Sequence, residues 1–240
     1  MAFIATDSAE SYNNGDPISG LNGGSDWSGA WSVSGAGTKD IVNTPTLQGS
    51  LCFHLRGTLT TEANALRSFA NITSGQMSFM FRRDNNTDDA FILQVRESGT
   101  VRFSFSAWGH NNFGFGTGHF VLEGSSNTDL GTFSANTNYT IILDMDNATD
   151  QVRVSLNGGT TFSSWLGYVS AATNLSDLRF VESNASSPSV TRNGYFDDIK
   201  PYVAAAGPAN MKTWNGLASA SVKTMDGLAI ASVKTWDGLA

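Results

Sequence analysis

The sequence predicts an all-β protein in which two antiparallel sheets pack face to face. Apolar residues recur at every second position through the body of the chain, which is the spacing of half-buried strands. The 25 glycines interrupt the chain too often for long helices, and no stretch combines a helical period with capping residues. Charged residues make up 15% of the chain, against roughly 25% in ordinary globular proteins. Many short strands joined by polar turns fit these three observations, and two packed sheets bury their apolar sides.

The clearest strands lie near the middle of the chain. Residues 77–81, 91–95 and 101–105 each alternate apolar and polar side chains. The connection 96–100 contains a Ser-Gly dipeptide, which is a turn signal. The second and third of these strands should therefore form an antiparallel hairpin.

A second hairpin is predicted from residues 139–145 and 151–156, with 146–150 as the connection. Between the two hairpins, residues 106–118 break the alternation and are rich in Gly and Asn. A long connection of this composition is typical of a surface loop.

The two ends of the body carry motifs. The opening motif combines Glu10-Ser11-Tyr12 with the Gly-rich stretch 20–31, and the closing motif is Tyr195-Phe196-Asp197-Asp198-Ile199. Together they resemble the ends of concanavalin A-like, laminin-G-like jelly-roll domains of bacterial and phage proteins, over about residues 5–203. The resemblance implies a two-sheet jelly roll in which the first and last strands lie side by side.

Several residues are expected to be buried in such a core. Trp27 and Trp31 belong to the opening motif, and Phe196 and Ile199 are expected to anchor the closing strand in the core. Cys52 is the single cysteine and lies in an apolar run, so we expect a small buried hydrophobe rather than a reactive thiol.

The resemblance also implies a place for one cofactor, a structural calcium ion. In related carbohydrate-binding jelly rolls, an acidic residue near the start and an aspartate of the last strand help to hold Ca²⁺, which prefers several oxygen ligands. Glu10 and Asp197 are the candidates here, with Asp7 as a further one. The alternative is that Asp197 and Asp198 cap a strand end or pair with nearby Arg or Lys.

Catalytic motifs are the next question. Hydrolases that share this fold carry a Glu-x-Asp-x-x-Glu strand, and nothing in this sequence matches it. Asp144 and Asp146 share one side of a strand end, but no glutamate follows at the required spacing, so we expect a solvated turn. The three histidines, His54, His110 and His119, show no metal-site or triad spacing. The sequence therefore predicts a protein that is not an enzyme.

Sugar binding has better candidates, because exposed aromatic rings stack on pyranose faces while amides and carboxylates bind hydroxyls. The predicted loop supplies Trp108, His110, Asn111, Asn112, Phe113 and Phe115. The competing interpretation is that these aromatic side chains only pin a long loop to the sandwich.

Charge and termini bear on partners and location. The net charge of −7 and the absence of a Lys or Arg cluster make nucleic acid an unexpected partner. The first residues, Met-Ala-Phe-Ile-Ala, show neither a basic start nor a long apolar run, so we expect no secretory signal and no membrane span. The expected location is a virion assembled in the cytoplasm of a bacterial host.

The last thirty residues contain an eleven-residue repeat, with Lys-Thr-Trp-Asn-Gly-Leu-Ala at 212–218 and related copies at 223–229 and 234–240. Asn-Gly and Asp-Gly favour tight turns between strands, which predicts short β-hairpins. Helix, and disorder until binding, are the alternatives. Short repeats gain stability by stacking on neighbours or another chain. The apolar residues expected in such contacts are Trp214, Leu217, Met225, Leu228, Ile230, Val233, Trp236 and Leu239.

These observations divide the chain into a jelly roll at 1–203, a linker at 204–210 and a repeat array at 211–240. The array resembles tails of phage structural proteins. We therefore expect a virion component, a head decoration or fibre protein, that displays a glycan-binding jelly roll and attaches to virion proteins or copies of itself through its repeats. The alternatives are a polysaccharide-active enzyme of the same superfamily and a bacterial carbohydrate-binding module.

Overall fold

A computed structural model describes residues 2–58, 61–87, 90–183 and 192–203, and four two-residue strands between 213 and 229. Residues 3–203 form one compact unit, and residues 1–2 with 204–240 belong to another, so each is described by itself. No helix of the described residues is long and apolar enough to cross a membrane.

The larger unit is built from short strands and one 3-10 turn, Ala9–Ser11. The strands are β1 (Ala2–Phe3), β2 (Ser32–Ser34), β3 (Thr38–Val42), β4 (Cys52–Arg56), β5 (Ala63–Ile72), β6 (Ser74–Arg83), β7 (Ala90–Glu97), β8 (Thr100–Trp108), β9 (His119–Glu123), β10 (Asn127–Thr132), β11 (Tyr139–Asp146), β12 (Gln151–Ser155), β13 (Leu166–Gly167), β14 (Leu175–Glu182) and β15 (Gly194–Val203).

These strands form two antiparallel sheets. Sheet I has the order β13-β12-β11-β6-β15-β4-β3, with β1 beside β15, and sheet II has the order β10-β9-β8-β7-β14-β5-β2. The predicted fold class, an all-β antiparallel sandwich, is confirmed.

The core lies between the sheets and is dominated by aromatic rings. Phe180 of sheet II and Phe196 of sheet I stack with their ring centroids 3.9 Å apart. Phe53 stacks on the other side of Phe196 at 5.1 Å, and Trp31 lies within 5.9 Å of the same ring. The predicted burial of Trp31, Phe196 and Ile199 is confirmed, whereas Trp27 is only partly buried where it packs against the core.

Both predicted hairpins are present. In the first, Glu97 pairs with Thr100 around Ser98 and Gly99, whose φ angles are 48° and 85°. Positive φ at both central residues matches the twist of the flanking strands. In the second, Asp146 of β11 pairs with Gln151 of β12. One boundary was wrong: residues 106–108 continue β8, because they keep pairing with β9.

The first segment lies against the last strand, as the resemblance implies. The Asp7 N–H donates to the Ile199 carbonyl at 2.9 Å, and the Ile199 N–H donates to the Asp7 carbonyl at 2.8 Å. This pairing places the Asp7 side chain at the start of the sandwich interior, where it is 2% exposed.

Asp7 is the centre of a buried polar cluster. Its carboxylate accepts hydrogen bonds from Trp31 Nε1 at 2.8 Å, from the Tyr12 hydroxyl at 3.1 Å and from Arg67 Nη1. Burial raises the pKa of Asp7 to about 6, and the charge of Arg67 and the hydrogen bonds from Trp31 and Tyr12 limit that rise. The carboxylate is thus committed to protein partners.

The Gly-rich opening segment completes this cluster. Arg67 donates from Nη2 to the Gly23 carbonyl at 2.8 Å and from Nε to the Gly29 carbonyl at 3.1 Å. Gly24 has φ +77°, and a β-carbon there would lie 2.2 Å from the Thr6 carbonyl oxygen. Only glycine fits this close approach without strain.

The repeat segment contains two short hairpins. Strand β16 (Thr213–Trp214) pairs with β17 (Leu217–Ala218), and β18 (Thr224–Met225) pairs with β19 (Leu228–Ala229). The register is the same in both, with Trp214 opposite Leu217 and Met225 opposite Leu228. These strands agree with the predicted hairpins. The predicted linker 204–210 and the contact residues Ile230, Val233, Trp236 and Leu239 lie outside the described residues.

Replacing Asp7 by Ala should destabilise the protein by about 3–5 kcal/mol, because Arg67 would stay buried without its counter-charge. Urea unfolding followed by tryptophan fluorescence measures the change. The control is Glu62→Ala, which removes a half-exposed carboxylate whose ion pair with Arg179 is long, at 3.5 Å. Equal stability losses in the two variants would contradict this account of the Asp7 cluster.

Candidate functional site

The outer face of sheet II, the side turned away from the core, holds residues that are nonetheless buried. Ser106 is 0% exposed, Val121 1% and Val181 3%. Their strand neighbours Phe105 and Phe120 point into the core, so these three side chains point outward. These three side chains are therefore sheltered although they lie on the side of the sheet that faces away from the core.

A row of polar side chains crosses this outer face. Register places Arg179 of β14 beside Gln94 of β7, Gln94 beside Ser104 of β8, and Ser104 beside Glu123 of β9. Arg179 donates from Nη2 to Asn64 Oδ1 at 2.8 Å. Neighbouring strands lie about 4.8 Å apart, so the row spans several hydrogen-bonding positions in succession.

Trp108 lies at the end of β8 beside this row. Its indole Nε1 donates to Ser106 Oγ at 3.0 Å and to Glu123 Oε1 at 3.1 Å. The Ser106 hydroxyl also donates to Glu123 Oε1. These contacts fix the plane of the Trp108 ring, while the residue stays half-buried rather than enclosed.

The loop after β8 brings the predicted aromatic residues together. The rings of His110 and Phe113 lie 5.3 and 5.4 Å from the Trp108 ring and nearly perpendicular to it. Phe115 lies 6.3 Å from Phe113. This aromatic cluster both pins the loop and borders the outer face of sheet II.

The predicted amides, Asn111 and Asn112, are exposed at the tip of the same loop. Asn111 Oδ1 accepts a hydrogen bond from the Gly116 N–H at 3.2 Å. The loop is closed at its base, where the Gly118 N–H donates to the Gly109 carbonyl at 3.2 Å. Its shape is therefore set by its own backbone.

A histidine–carboxylate pair extends the site toward the edge of the sheet. His119 Nδ1 lies 2.8 Å from Asp129 Oδ1, which also accepts the Gly131 N–H at 2.8 Å. Burial opposes the shift, but the hydrogen bonds from His119 and Gly131 hold the pKa of Asp129 below its usual value. The carboxylate is thus ionised at neutral pH.

Glu123 and Asp129 bring two carboxylates to the outer face from neighbouring strands, an arrangement that no motif in the sequence indicates. Asp129 is opposite Val121, and Glu123 is two residues further along β9, so both carboxylates are on the outer face at diagonal positions. Diagonal neighbours have α-carbons about 7–8 Å apart. This spacing is measured between α-carbons, whereas the roughly 5–9.5 Å separation in glycosidases is measured between the two carboxyl groups. The glycosidase motif lies on one strand, whereas these two carboxylates come from β9 and β10.

Of the two predicted calcium ligands, Glu10 lies in the 3-10 turn Ala9–Ser11 and Asp197 lies on β15 of sheet I. Glu10 accepts hydrogen bonds from the Ser50 and Leu51 N–H groups, both at 2.7 Å, and these hydrogen bonds, the one from Leu51 first, lower the pKa of Glu10. Asp197 is fully buried and accepts the Ala9 N–H at 3.0 Å, while burial raises its pKa to about 6. Among the described residues, no group of three or more His, Cys, Asp or Glu could hold a metal. The side chains as placed do not form a calcium cage, and the calcium site stays a prediction.

The remaining titratable candidates have structural contacts. Asp144 Oδ2 accepts from Arg153 Nε at 2.8 Å, and Asp146 Oδ1 accepts the Ala148 N–H at 2.9 Å within the turn. His54 lies between Asp40 at 2.7 Å and Asn193 at 2.8 Å. Cys52 is buried, as expected, and burial raises the pKa of its thiol to about 12.

No protein-family model matches the chain, and no curated protein sequence is similar to it. Solved structures are similar in fold. A sialidase matches with a TM-score of 0.59 and 10% identity, over 73% of this chain and 17% of its own. A glycosyl hydrolase family protein from Mycobacterium fortuitum matches with a TM-score of 0.53 and 10% identity, over 84% of this chain and 100% of its own.

A third structure is described by the statement that cell entry of botulinum neurotoxin type C depends upon interaction with two ganglioside molecules. It matches with a TM-score of 0.50 and 12% identity, over 81% of this chain and 48% of its own. The fold is a concanavalin A-like jelly roll. This chain covers about a sixth of the sialidase and about half of the neurotoxin chain, so these matches show a shared fold and not a shared whole protein.

One expectation is overturned by these matches. The sequence predicted a protein that is not an enzyme, because the one-strand carboxylate motif is absent. The neighbours include a sialidase and a glycosyl hydrolase family protein, the second matched over its whole length. The prediction was wrong to exclude catalysis, since a missing local motif does not exclude carboxylates brought together by strand pairing.

Proposed function

We propose that this protein binds carbohydrate chains on the outer face of sheet II. The observation that carries the proposal is the Trp108 ring, held in one orientation by Ser106 and Glu123 beside a row of polar side chains. A sugar ring has an apolar face and a rim of hydroxyls, so a fixed aromatic plane next to hydrogen-bonding groups is complementary to it.

The comparisons support the same ligand class. One neighbour is a sialidase and another is a glycosyl hydrolase family protein, and the third is described in terms of neurotoxin cell entry that depends upon interaction with two ganglioside molecules. At 10–12% identity they share the fold alone with this chain. The residues of the outer face are therefore the main support for carbohydrate binding.

Replacing Trp108 by Ala should weaken binding to the preferred polysaccharide by about thirtyfold, the loss expected for a central aromatic contact of roughly 2 kcal/mol. Affinity electrophoresis against a panel of soluble polysaccharides identifies the ligand, and calorimetry measures the affinity. Thr140→Ala, an exposed change on sheet I, is the control and should bind like the unchanged protein. If Trp108→Ala binds the polysaccharide with the same affinity as the unchanged protein, the proposal is refuted.

Hydrolysis of the bound chain is a second candidate function, favoured by the Glu123 and Asp129 pair. Glu123 contacts two hydrogen-bond donors, whereas Asp129 is held by His119 and Gly131, so the two carboxylates have different surroundings. Different surroundings are what an acid and a base need in order to divide their roles.

If the protein is a hydrolase, Glu123→Gln and Asp129→Asn should each lower the release of reducing ends by at least about a hundredfold, the usual contribution of acid–base catalysis. Binding of the same polysaccharide should persist. Asp146→Asn, which alters a carboxylate of the β11–β12 turn, is the matched control. A protein that binds the chain but releases no reducing ends removes this second candidate and leaves the first.

We also propose that residues 211–240 attach this jelly roll to other virion proteins or to copies of itself, on a phage particle. Two copies of the repeat have hairpins of identical register, which supports a modular array. Units of this size gain stability mainly from neighbouring units or chains.

Deleting residues 211–240 should leave a folded body and abolish assembly. Light scattering coupled to gel filtration gives the mass of both forms, and circular dichroism checks the fold. A chain in which residues 211–240 are scrambled keeps length and charge and serves as the control. Assembly that survives both changes would contradict an attachment role.

A further inference from the structure

The edge of the sandwich next to β10 contains an open cleft of about 440 Å³. One wall is β10, with Asp129 and Leu130. The other is the end of β12 and the segment that follows it, with Val154, Asn157 and Phe162. The cleft is therefore lined by both apolar and polar side chains.

The second wall is pre-formed by local hydrogen bonds. The Ser163 N–H donates to the Val154 carbonyl at 2.8 Å, and the Val154 N–H donates to Ser163 Oγ at 3.1 Å. The Thr161 N–H donates to Asn157 Oδ1 at 3.2 Å. Because these bonds fold the segment back along β12, a ligand would not have to order it.

An aromatic platform continues from this wall. The Arg153 guanidinium lies 4.7 Å from the Phe162 ring and 4.5 Å from the Trp165 ring. Two bonds to Asp144 Oδ2, at 2.8 and 2.7 Å, hold the same guanidinium. The Trp165 ring is thereby fixed in position, although the residue is 42% exposed.

Exposure of Trp165 needs an explanation. Of the large hydrophobic residues in the described part of the chain, only Trp165 and Val169 are exposed. Packing against Arg153 explains the orientation of the Trp165 ring, but it does not explain why part of the ring is exposed to solvent. A fixed, exposed indole beside a polar cleft is the arrangement expected of a stacking position for a sugar ring.

Asp129 joins this cleft to the outer face of sheet II. The residue lines the cleft, while its Oδ1 contacts His119 of β9. Strands β8, β9 and β10 are consecutive neighbours, so Trp108, His119 and Asp129 follow one another across the sheet toward the cleft. The two surfaces are therefore continuous.

We infer that the carbohydrate site continues around β10 into this cleft and ends on Trp165, so that its ligand is an extended chain of several neutral sugars and not a single terminal sugar. This inference rests on the proposed function of the Trp108 region. The exposed indole, the mixed lining and the shared Asp129 carry it.

Charge argues for a neutral chain. Among the described residues that line the cleft, Asp129 is the charged one and none is Lys or Arg. Arg153 is already paired with Asp144, and the whole chain has a net charge of −7. Within the cleft, acidic sugars and phosphates would therefore meet the Asp129 carboxylate without a Lys or Arg side chain to compensate it.

The test uses the full chain and ladders of cello-, laminari- and xylo-oligosaccharides, from the disaccharide upward, with affinities measured by calorimetry. The affinity of the unchanged protein should rise with chain length. Trp165→Ala should lower the affinity for the longest chains by about tenfold, as expected for loss of one stacked ring. The same variant should leave the affinity for the shortest binding chain unchanged, and Trp165→Phe should restore part of the loss.

Val169→Ala is the matched control, since it removes the other exposed hydrophobic side chain and should change nothing. If affinity rises with chain length identically in Trp165→Ala and in the unchanged protein, the inference is overturned. Loss of binding at every chain length in Trp108→Ala would still support the proposed function. Full binding by Trp108→Ala at every length refutes the proposed function instead. Failure of all three ladders to bind counts against both.

Discussion

The buried ion pair between Asp7 and Arg67 determines how the two sheets meet. Asp7 is bonded through its backbone to Ile199 of sheet I, and Arg67 belongs to β5 of sheet II. A buried pair is favourable only when its remaining polar atoms are satisfied. Here Trp31, Tyr12 and the carbonyls of the Gly-rich segment complete the set. The opening motif is thus explained by one electrostatic requirement.

The Asp7 cluster shares no residue with the candidate site, which is built from a different set of contacts. Strand pairing brings Trp108, Ser106 and Glu123 together from β8 and β9. The contact between Trp108 and Ser106 lies within β8, whereas both contacts to Glu123 join β8 to β9. The pairing register of β8 and β9 therefore determines which side chains meet on this surface. The loop adds aromatic rings along its border.

Local patterns were sufficient to predict the fold class, both hairpins and the burial of Trp31, Phe196 and Ile199, because alternation and turn residues act over a few positions. They were not sufficient for Glu123 and Asp129, whose proximity depends on the β9–β10 register, or for the partnership of Asp7 with Arg67, sixty residues away. The start of the loop was misplaced because Ser106 and Trp108 are polar or half-buried on the side that faces solvent. The sequence from Ser106 to Trp108 therefore lacks the alternation of apolar and polar residues that predicts a strand.

The hydrogen bond from the Gly118 N–H to the Gly109 carbonyl closes the base of the loop, where the chain leaves β8 and returns to β9. Residues between those glycines do not take part in the strand pairing of β8 and β9, so their exchange need not disturb the core. Related proteins can therefore differ in ligand preference through changes in this loop, while the two sheets stay the same. Such an insert is also a natural place to graft a foreign recognition sequence onto the scaffold.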